Sequence, residues 1–212
     1  MIFKIQKLEE NGLQDDYDRA MKELNEFYGF NWVYNRPQII IVPDRQTIDN
    51  IKDKKSEDWQ IGWADGRFAF MLDNEAMEAN SSHQKYSSEK YYANLIKHEL
   101  SHIFFRHLSK SSNGPKWFWE GVAIYTSGQL AFQKSITKFE RFLDSTDKVF
   151  PGLYEESGFA VESLVNKYGK EKLFELIKSL KDCPTNDDFI KKFKTIYSFP
   201  LNYQEFNNLK NA

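Results

Sequence analysis

The chain has 212 residues, of which 41% are hydrophobic and 28% charged, and this balance excludes general disorder and is normal for a globular domain. Lys and Arg total 29 against 31 Asp and Glu, so the net charge of -2 argues against nucleic-acid and anionic-membrane partners, which require a strong positive field. The single cysteine, Cys183, excludes an intramolecular disulfide, and we expect no catalytic role for it.

The N-terminal segment MIFKIQKLEENGLQDD becomes acidic before any apolar run of signal-peptide length. No segment approaches the roughly 18 apolar residues that a membrane-spanning helix needs. We therefore predict a cytoplasmic protein without a membrane partner. No repeat, long linker or low-complexity tract divides the sequence, so we expect one domain over residues 1–212, with an α+β part at 1–87 and a helical part at 88–212.

The first third of the chain predicts a helix followed by strands. Apolar residues recur at helical spacing over residues 15–28, and three consecutive isoleucines within 38–42 indicate a buried strand. The lysine-rich residues 51–57 are typical of a solvated helix or loop. An Asp-Gly turn signal inside 59–72 predicts a short hairpin, and the polar residues 74–88 predict a surface loop.

The rest of the chain is nearly all helix by its pattern, with Ser87 as the expected first N-cap. Thr185 and Asp188 form a capping signal at a later helix start. Glycines and prolines divide this part into predicted helices at 88–108, 116–130, 155–168, 170–181, 186–197 and 201–210. The sequence therefore predicts an α+β fold, with a small N-terminal sheet and helices followed by a mostly helical C-terminal part.

Residues 98–102 read HELSH, an HExxH pattern within the first of these C-terminal helices. Residues four apart lie on one face of a helix, so His98 and His102 can offer imidazole nitrogens to one metal ion. Glu99 projects beside them toward a water bound to that ion. Because the chain has only four histidines, chance placement is improbable, and the pattern predicts a metal site.

A catalytic zinc ion needs a third protein ligand and an open fourth position. Glu120, in the segment PKWFWEGVAIY, is the best candidate, because the Gly-Pro break before it allows a second helix to run antiparallel to the first. The competing ligand, His107, lacks metzincin spacing and is rotated away from the face of His98 and His102 on a continuous helix. We interpret His107 as a surface or ligand-supporting histidine, and His83 as solvated.

With these residues assigned, the chain resembles the gluzincin metallopeptidases, particularly the compact domains related to aminopeptidase N, thermolysin-like enzymes and glycyl aminopeptidases. The resemblance rests on HELSH at 98–102, PKWFWEGVAIY at 115–125 and, more loosely, YEESGFAVESLVNKYGKEKLFELI at 154–177. It covers about the last two thirds of the chain. The N-terminal strands are compatible with the small sheet that borders the cleft in that family.

The resemblance implies a zincin-like fold whose active-site helix carries HExxH, and it implies Zn2+ as the cofactor. The zinc ligands would be His98, His102 and Glu120. It also implies cleavage of a peptide bond by water, with Glu99 moving the proton of that water. Zinc can lower the pKa of a bound water to about 7, so a carboxylate within reach can accept the proton near neutral pH.

Two further roles follow from the resemblance alone. Gluzincins often use a tyrosine as an oxyanion donor, and Tyr154, expected just before the helix that contains Ser157, occupies the corresponding position, with Tyr125 as the alternative. The larger aminopeptidases bind the substrate amine through a Gly-x-Met-Glu-Asn segment. The segment EAMEAN at 75–80 matches it only in part, so Glu78 is an imperfect match for an amine-binding residue.

These features together predict a zinc metallopeptidase that acts on a peptide or protein substrate, with Glu99 as the general base. Two alternatives stay open. The same centre can serve a zinc amidase or another hydrolase. A non-catalytic, zinc-stabilised peptide-binding module would instead present Trp117, Trp119 and phenylalanines to its partner, although a structural site needs no general base and prefers four protein ligands.

Overall fold

The computed structural model describes residues 7–8, 11–80, 88–144 and 151–210. Within those ranges one three-stranded sheet is combined with many helices, which is the predicted α+β class. The helices are α1 (Asn11–Tyr28), α2 (Arg45–Lys52), α3 (Asn74–Asn80), α4 (Glu89–Leu108), α5 (Lys116–Ser127), α6 (Pro151–Tyr168), α7 (Lys170–Ser179), α8 (Asn186–Tyr197) and α9 (Tyr203–Lys210), and the strands are β1 (Gln38–Val42), β2 (Gly62–Asp65) and β3 (Phe68–Leu72). No helix in the described ranges is long and apolar enough to cross a bilayer.

The sheet has the strand order β1-β3-β2, so β3 lies in the middle. β1 runs parallel to β3, with Ile40 opposite Phe70, and β2 runs antiparallel to β3, with Trp63 opposite the same residue. The predicted strand at 38–42 and the predicted hairpin are confirmed. A parallel pair needs a crossover connection, and α2 lies in this connection with Ile48 buried.

The prediction that 74–88 is a surface loop is wrong for its first half. Residues Asn74–Asn80 form helix α3, and Met77 within it is fully buried. The Asp73 side chain accepts a hydrogen bond from the backbone N–H of Glu75 at 3.0 Å and supports the helix start. Met77 and the partly buried Ala76 attach this helix to the core, and two adjacent residues form no repeat at helical spacing.

The starts and ends of α4 and α5 differ slightly from the prediction. Helix α4 begins after Ser88, whose side chain caps the first turn; the predicted cap, Ser87, lies outside the described residues. Helix α5 ends at Ser127, because Gly128 takes a left-handed φ of 79°. A separate 3-10 turn, Gln129–Phe132, follows it, so the predicted helix at 116–130 is two elements.

Helices α1 and α6 begin earlier than the sequence predicted, at Asn11 and Pro151. Tyr154 therefore lies inside α6 and not in front of it. The capping signal before α8 is confirmed, since Thr185 and Asp188 exchange side-chain and backbone hydrogen bonds in a capping box.

Helix α4 packs between α1 and α5. Ser101 of α4 is hydrogen-bonded to Tyr28 of α1 and to Thr126 near the end of α5. Phe105, one turn further along α4, contacts Phe118 near the start of α5. Because contacts advance in opposite directions along the two helices, α4 and α5 are antiparallel, as the Gly-Pro break predicted.

Helices α5 and α6 approach each other closely because glycines face the neighbouring helix. A methyl group on Gly121 would lie 2.6 Å from the carbonyl oxygen of Ser157, and one on Gly158 would lie 2.5 Å from a methyl carbon of Ile124. Both distances are below 3.0 Å, which is closer than a Cβ atom approaches a non-bonded heavy atom in proteins. The close packing fixes α6, which carries Tyr154, against α5, and the Tyr154 carbonyl accepts a hydrogen bond from Gln133 at 3.0 Å just after the turn that follows α5.

Candidate metal centre

Helix α4 presents the two histidines of HELSH on one face, as 3.6 residues per turn requires. His98 and His102 are both buried, and their ring centroids are 4.7 Å apart. Nearly all of α4 between Leu95 and Phe105 is buried as well. The two imidazoles therefore have little room to reorient.

Glu120 of α5 completes the predicted cluster. Its Oε2 lies 3.4 Å from His98 Nε2 and 3.5 Å from His102 Nε2. The donor atoms of the three buried residues all lie within 4.8 Å of one another. Zinc bonds to such nitrogen and oxygen donors are about 2.0–2.2 Å long, which puts two tetrahedral ligands about 3.3–3.6 Å apart. The triad can therefore hold a metal ion.

Gln129 sets the orientation of His98. The Nδ1–H of His98 donates to Gln129 Oε1 at 2.7 Å, and the bond is buried. Because Nδ1 is engaged by Gln129, Nε2 is the ring nitrogen that faces Glu120 and that would bind a metal. Gln129 lies in the 3-10 turn that follows α5. Because α5 ends at Ser127, before this turn, the end of the helix affects which side chain contacts His98.

His102 is held by stacking. The Trp119 ring lies parallel to it, with 4.2 Å between centroids and 8° between planes. No described residue makes a hydrogen bond to the buried His102 Nδ1. Burial lowers the pKa of His102 to about 4, although Glu120 acts in the opposite direction. The imidazole is therefore neutral at pH 7, which is the form that binds a metal.

Glu120 is a carboxylate in this environment. Burial alone would raise its pKa, but His102, His98 and the ammonium of Lys116 lower the pKa well below its usual value. The Lys116 Nζ donates to Glu120 Oε1 at 2.9 Å. The ionised form is the one required for metal binding.

Glu99 lies on the side of α4 that faces strand β2, where its carboxylate contacts Gly62. Burial raises the pKa of Glu99 to about 7, with His98 acting in the opposite direction. Its Oε2 is buried and makes no hydrogen bond to any residue in the described ranges. Since buried polar atoms are normally satisfied, this oxygen is available to a water or a substrate group, and the carboxyl can exchange a proton near neutral pH.

Tyr154 lies close enough to Glu120 and Glu99 for their charges to act on its hydroxyl. Burial raises the pKa of its hydroxyl well above the usual value, and the negative charges of Glu120 and Glu99 add to the effect. The hydroxyl is therefore protonated and can act as a hydrogen-bond donor. The alternative tyrosine, Tyr125, packs its ring edge-on against Phe27 of α1, on another side of α5.

Two other predicted candidates in the described residues, His107 and Glu78, are not part of the triad. His107 is exposed at the end of α4 and its ring contacts Trp32, which confirms its predicted surface position. Glu78 is exposed on α3. His83 lies outside the described residues.

Sequence reasoning did not identify several residues that contact the site. Lys116 lies four residues before Glu120 on one helix, so its spacing was an available signal. Gln129 is separated from His98 by 31 positions, and Gly62 comes from a different part of the chain. No local pattern links these last two residues to HELSH.

No protein-family model matches this chain, and neither a curated protein nor a solved structure matches it. The chemistry of the centre therefore has to follow from its own residues.

Proposed function

We propose that this protein is a zinc-dependent metallopeptidase of the gluzincin type, with a zincin-like fold and with His98, His102 and Glu120 as zinc ligands. The observation that carries the proposal is the state of Glu99, a buried carboxyl beside a ligand with one oxygen unbonded to any described residue. A structural zinc site has no use for such a group and takes four protein ligands. The described part of the chain offers three.

Two imidazole nitrogens and one carboxylate oxygen are the donor set of many catalytic zinc sites. The spacing of these donors in the structure fits zinc bond lengths, as described above. When bound, zinc supplies a water of lowered pKa and polarises the substrate carbonyl.

Glu99 acts as the general base and then as the general acid. It accepts one proton from the attacking water as the water oxygen bonds to the carbonyl carbon. It then delivers that proton to the leaving nitrogen as the C–N bond breaks, which gives an amine and a carboxylic acid. A divalent cation held by the triad would lower the pKa of Glu99 from about 7, because it would favour the charged form, and Glu99 would then start the cycle ionised.

Tyr154 donates its hydroxyl proton in a hydrogen bond to the carbonyl oxygen as negative charge develops there. Its raised pKa means that the hydroxyl keeps its proton throughout, so it stabilises the charge without transferring a proton. The packing of α6 against α5 positions this donor.

The alternatives differ in how well the residues support them. A zinc amidase would use the same groups on another carbonyl substrate. A peptide-binding module would present Trp117 and Trp119 to a partner, yet their exposed fractions are only 2% and 8%. A catalytic site is therefore better supported than a binding module, and we propose a peptide or protein substrate and, from the sequence, a cytoplasmic location.

The test combines metal analysis with cleavage of an unbiased peptide mixture by the native protein and by Glu99→Gln. We expect about one zinc per chain in both proteins and hydrolysis only in the native one, since the amide cannot accept a proton and the ligands are untouched. The pattern of cuts also distinguishes amino-terminal trimming from internal cleavage.

Glu89→Gln is the matched control, because Glu89 is an exposed glutamate on the same helix. It should hydrolyse peptides as the native protein does. Zinc binding without cleavage of any peptide would contradict the peptidase proposal, and equal activity in Glu99→Gln would remove Glu99 from the mechanism.

A further inference from the structure

Lys116, the first residue of α5, contacts the carboxylate oxygen of the metal ligand Glu120 that does not face the histidines. Its Nζ donates to Glu120 Oε1 at 2.9 Å, whereas Glu120 Oε2 faces His98 and His102. The lysine side chain is 34% exposed and the glutamate side chain 5% exposed. The two carboxylate oxygens therefore have separate partners, one an ammonium group and the other the metal position.

Helix stability does not explain a lysine at this place. The first turn of a helix carries partial positive charge and favours acidic residues. A lysine four residues before a glutamate is also the weaker orientation of such a pair. The contact acts on Glu120, the residue to which Lys116 is bonded.

A carboxylate can bind a metal through one oxygen or through both. Coordination through both oxygens would use a position that a catalytic metal keeps for water or substrate. An ammonium group on Oε1 makes a charge-assisted hydrogen bond, so turning that oxygen toward the metal would require breaking the bond inside a nearly buried site.

We propose that Lys116 is a positioning residue that restricts Glu120 to coordination through Oε2 alone and so keeps a coordination position open. The inference rests on the metal site of the proposed function and is independent of peptide hydrolysis. It assigns Lys116 a role in the geometry around the metal, with no direct contact to substrate.

Cobalt(II) is the probe, because its visible absorption is more intense with four ligands than with five or six and so reports coordination geometry. The full chain is loaded with Co2+ as the native protein, Lys116→Met and Lys116→Arg. We expect the absorption of Lys116→Met to fall by about twofold or more, with Co2+ bound at least as tightly as in the native protein, because Glu120 gains a second coordinating oxygen. Lys116→Arg retains a cationic donor and should restore the native spectrum.

Lys170→Met is the matched control, because Lys170 is an exposed lysine at the first position of another helix, α7. It reproduces the loss of a lysine from a helix start and should leave the spectrum unchanged. Lys116→Ala provides a second variant with high helix propensity in case the methionine variant does not fold.

A native spectrum in both uncharged variants would overturn the role of Lys116. Loss of Co2+ binding in a folded Lys116→Met would overturn it as well, since Lys116 would then be required for binding itself. Failure of the native protein to bind Co2+ or Zn2+ is a different result, because it would contradict the metal site and with it the proposed function.

Discussion

The carboxylate of Glu99 lies directly against the backbone of Gly62. A methyl group on Gly62 would be 2.5 Å from Glu99 Oε1 and 2.9 Å from its carboxyl carbon. Gly62 is the first residue of β2 and does not have a left-handed φ. The backbone conformation at position 62 does not require glycine. The absence of a side chain there instead makes room for the Glu99 carboxylate.

Gly62→Ala should therefore displace Glu99 while leaving the fold and metal content nearly unchanged. The end of the glutamate side chain can move at small cost in stability, but displacement of a catalytic group by about 1 Å can cost about 100-fold in rate. We expect a loss of hydrolysis of that order, measured as kcat/KM, with native zinc content.

The Glu99→Gln variant provides the check on this explanation. Adding Gly62→Ala to Glu99→Gln should cost little further activity, because the side chain that the methyl group displaces can then no longer accept a proton. Equal losses from Gly62→Ala in the two backgrounds would show that the methyl group acts elsewhere.

The third-ligand assignment is tested by comparing two substitutions. Glu120→Ala leaves two histidines for the metal and should weaken zinc binding strongly, by about 100-fold or more. His107→Ala should leave zinc affinity unchanged, since His107 lies exposed against Trp32. Competition titration with a chelating dye measures both affinities, and the reverse ranking would make the Glu120 assignment wrong.

Tyr154→Phe should lower kcat by about 10 to 1,000 fold, with metal content unchanged, because it removes one donor to the developing oxyanion. Tyr125→Phe is the matched control, as Tyr125 packs on Phe27 away from the triad. If both tyrosine variants keep native turnover, Tyr154 has only a packing role.

A buried chain of hydroxyls connects α1, α4 and α5. Thr126 Oγ1 donates to the Val122 carbonyl at 2.7 Å, so Ser101 must donate to Thr126 at 2.7 Å and Tyr28 to Ser101 at 3.1 Å. Ser101→Ala leaves the Tyr28 hydroxyl as a buried donor without its acceptor, which costs about 1–3 kcal/mol. Urea unfolding of the metal-free protein measures this loss.

Tyr28→Phe serves as the partner substitution for that measurement. In the Ser101→Ala background it removes the unsatisfied donor, so the double variant should be less destabilised than the sum of the two single variants. Strict additivity would contradict the hydrogen-bond chain.

The sequence alone was sufficient for the part of the site that lies within one helix. Residues one and four positions apart have a set relationship once the segment is helical, so His98, Glu99 and His102 could be placed together without any tertiary information. Glu120 was within reach because a Gly-Pro break limits how the next helix can return. The strand at 38–42 and the hairpin were predictable for the same local reasons, namely β-branched residues and turn chemistry.

The tertiary structure decided everything that depends on contacts between separate elements. It placed Gln129 on His98, Gly62 against Glu99, Tyr154 inside α6 and Met77 of α3 in the core. None of these relationships has a fixed spacing along the chain, because each depends on how far one element is shifted or rotated against another. Packing sets those shifts through close contacts such as Gly121 on Ser157, and a single sequence does not display them.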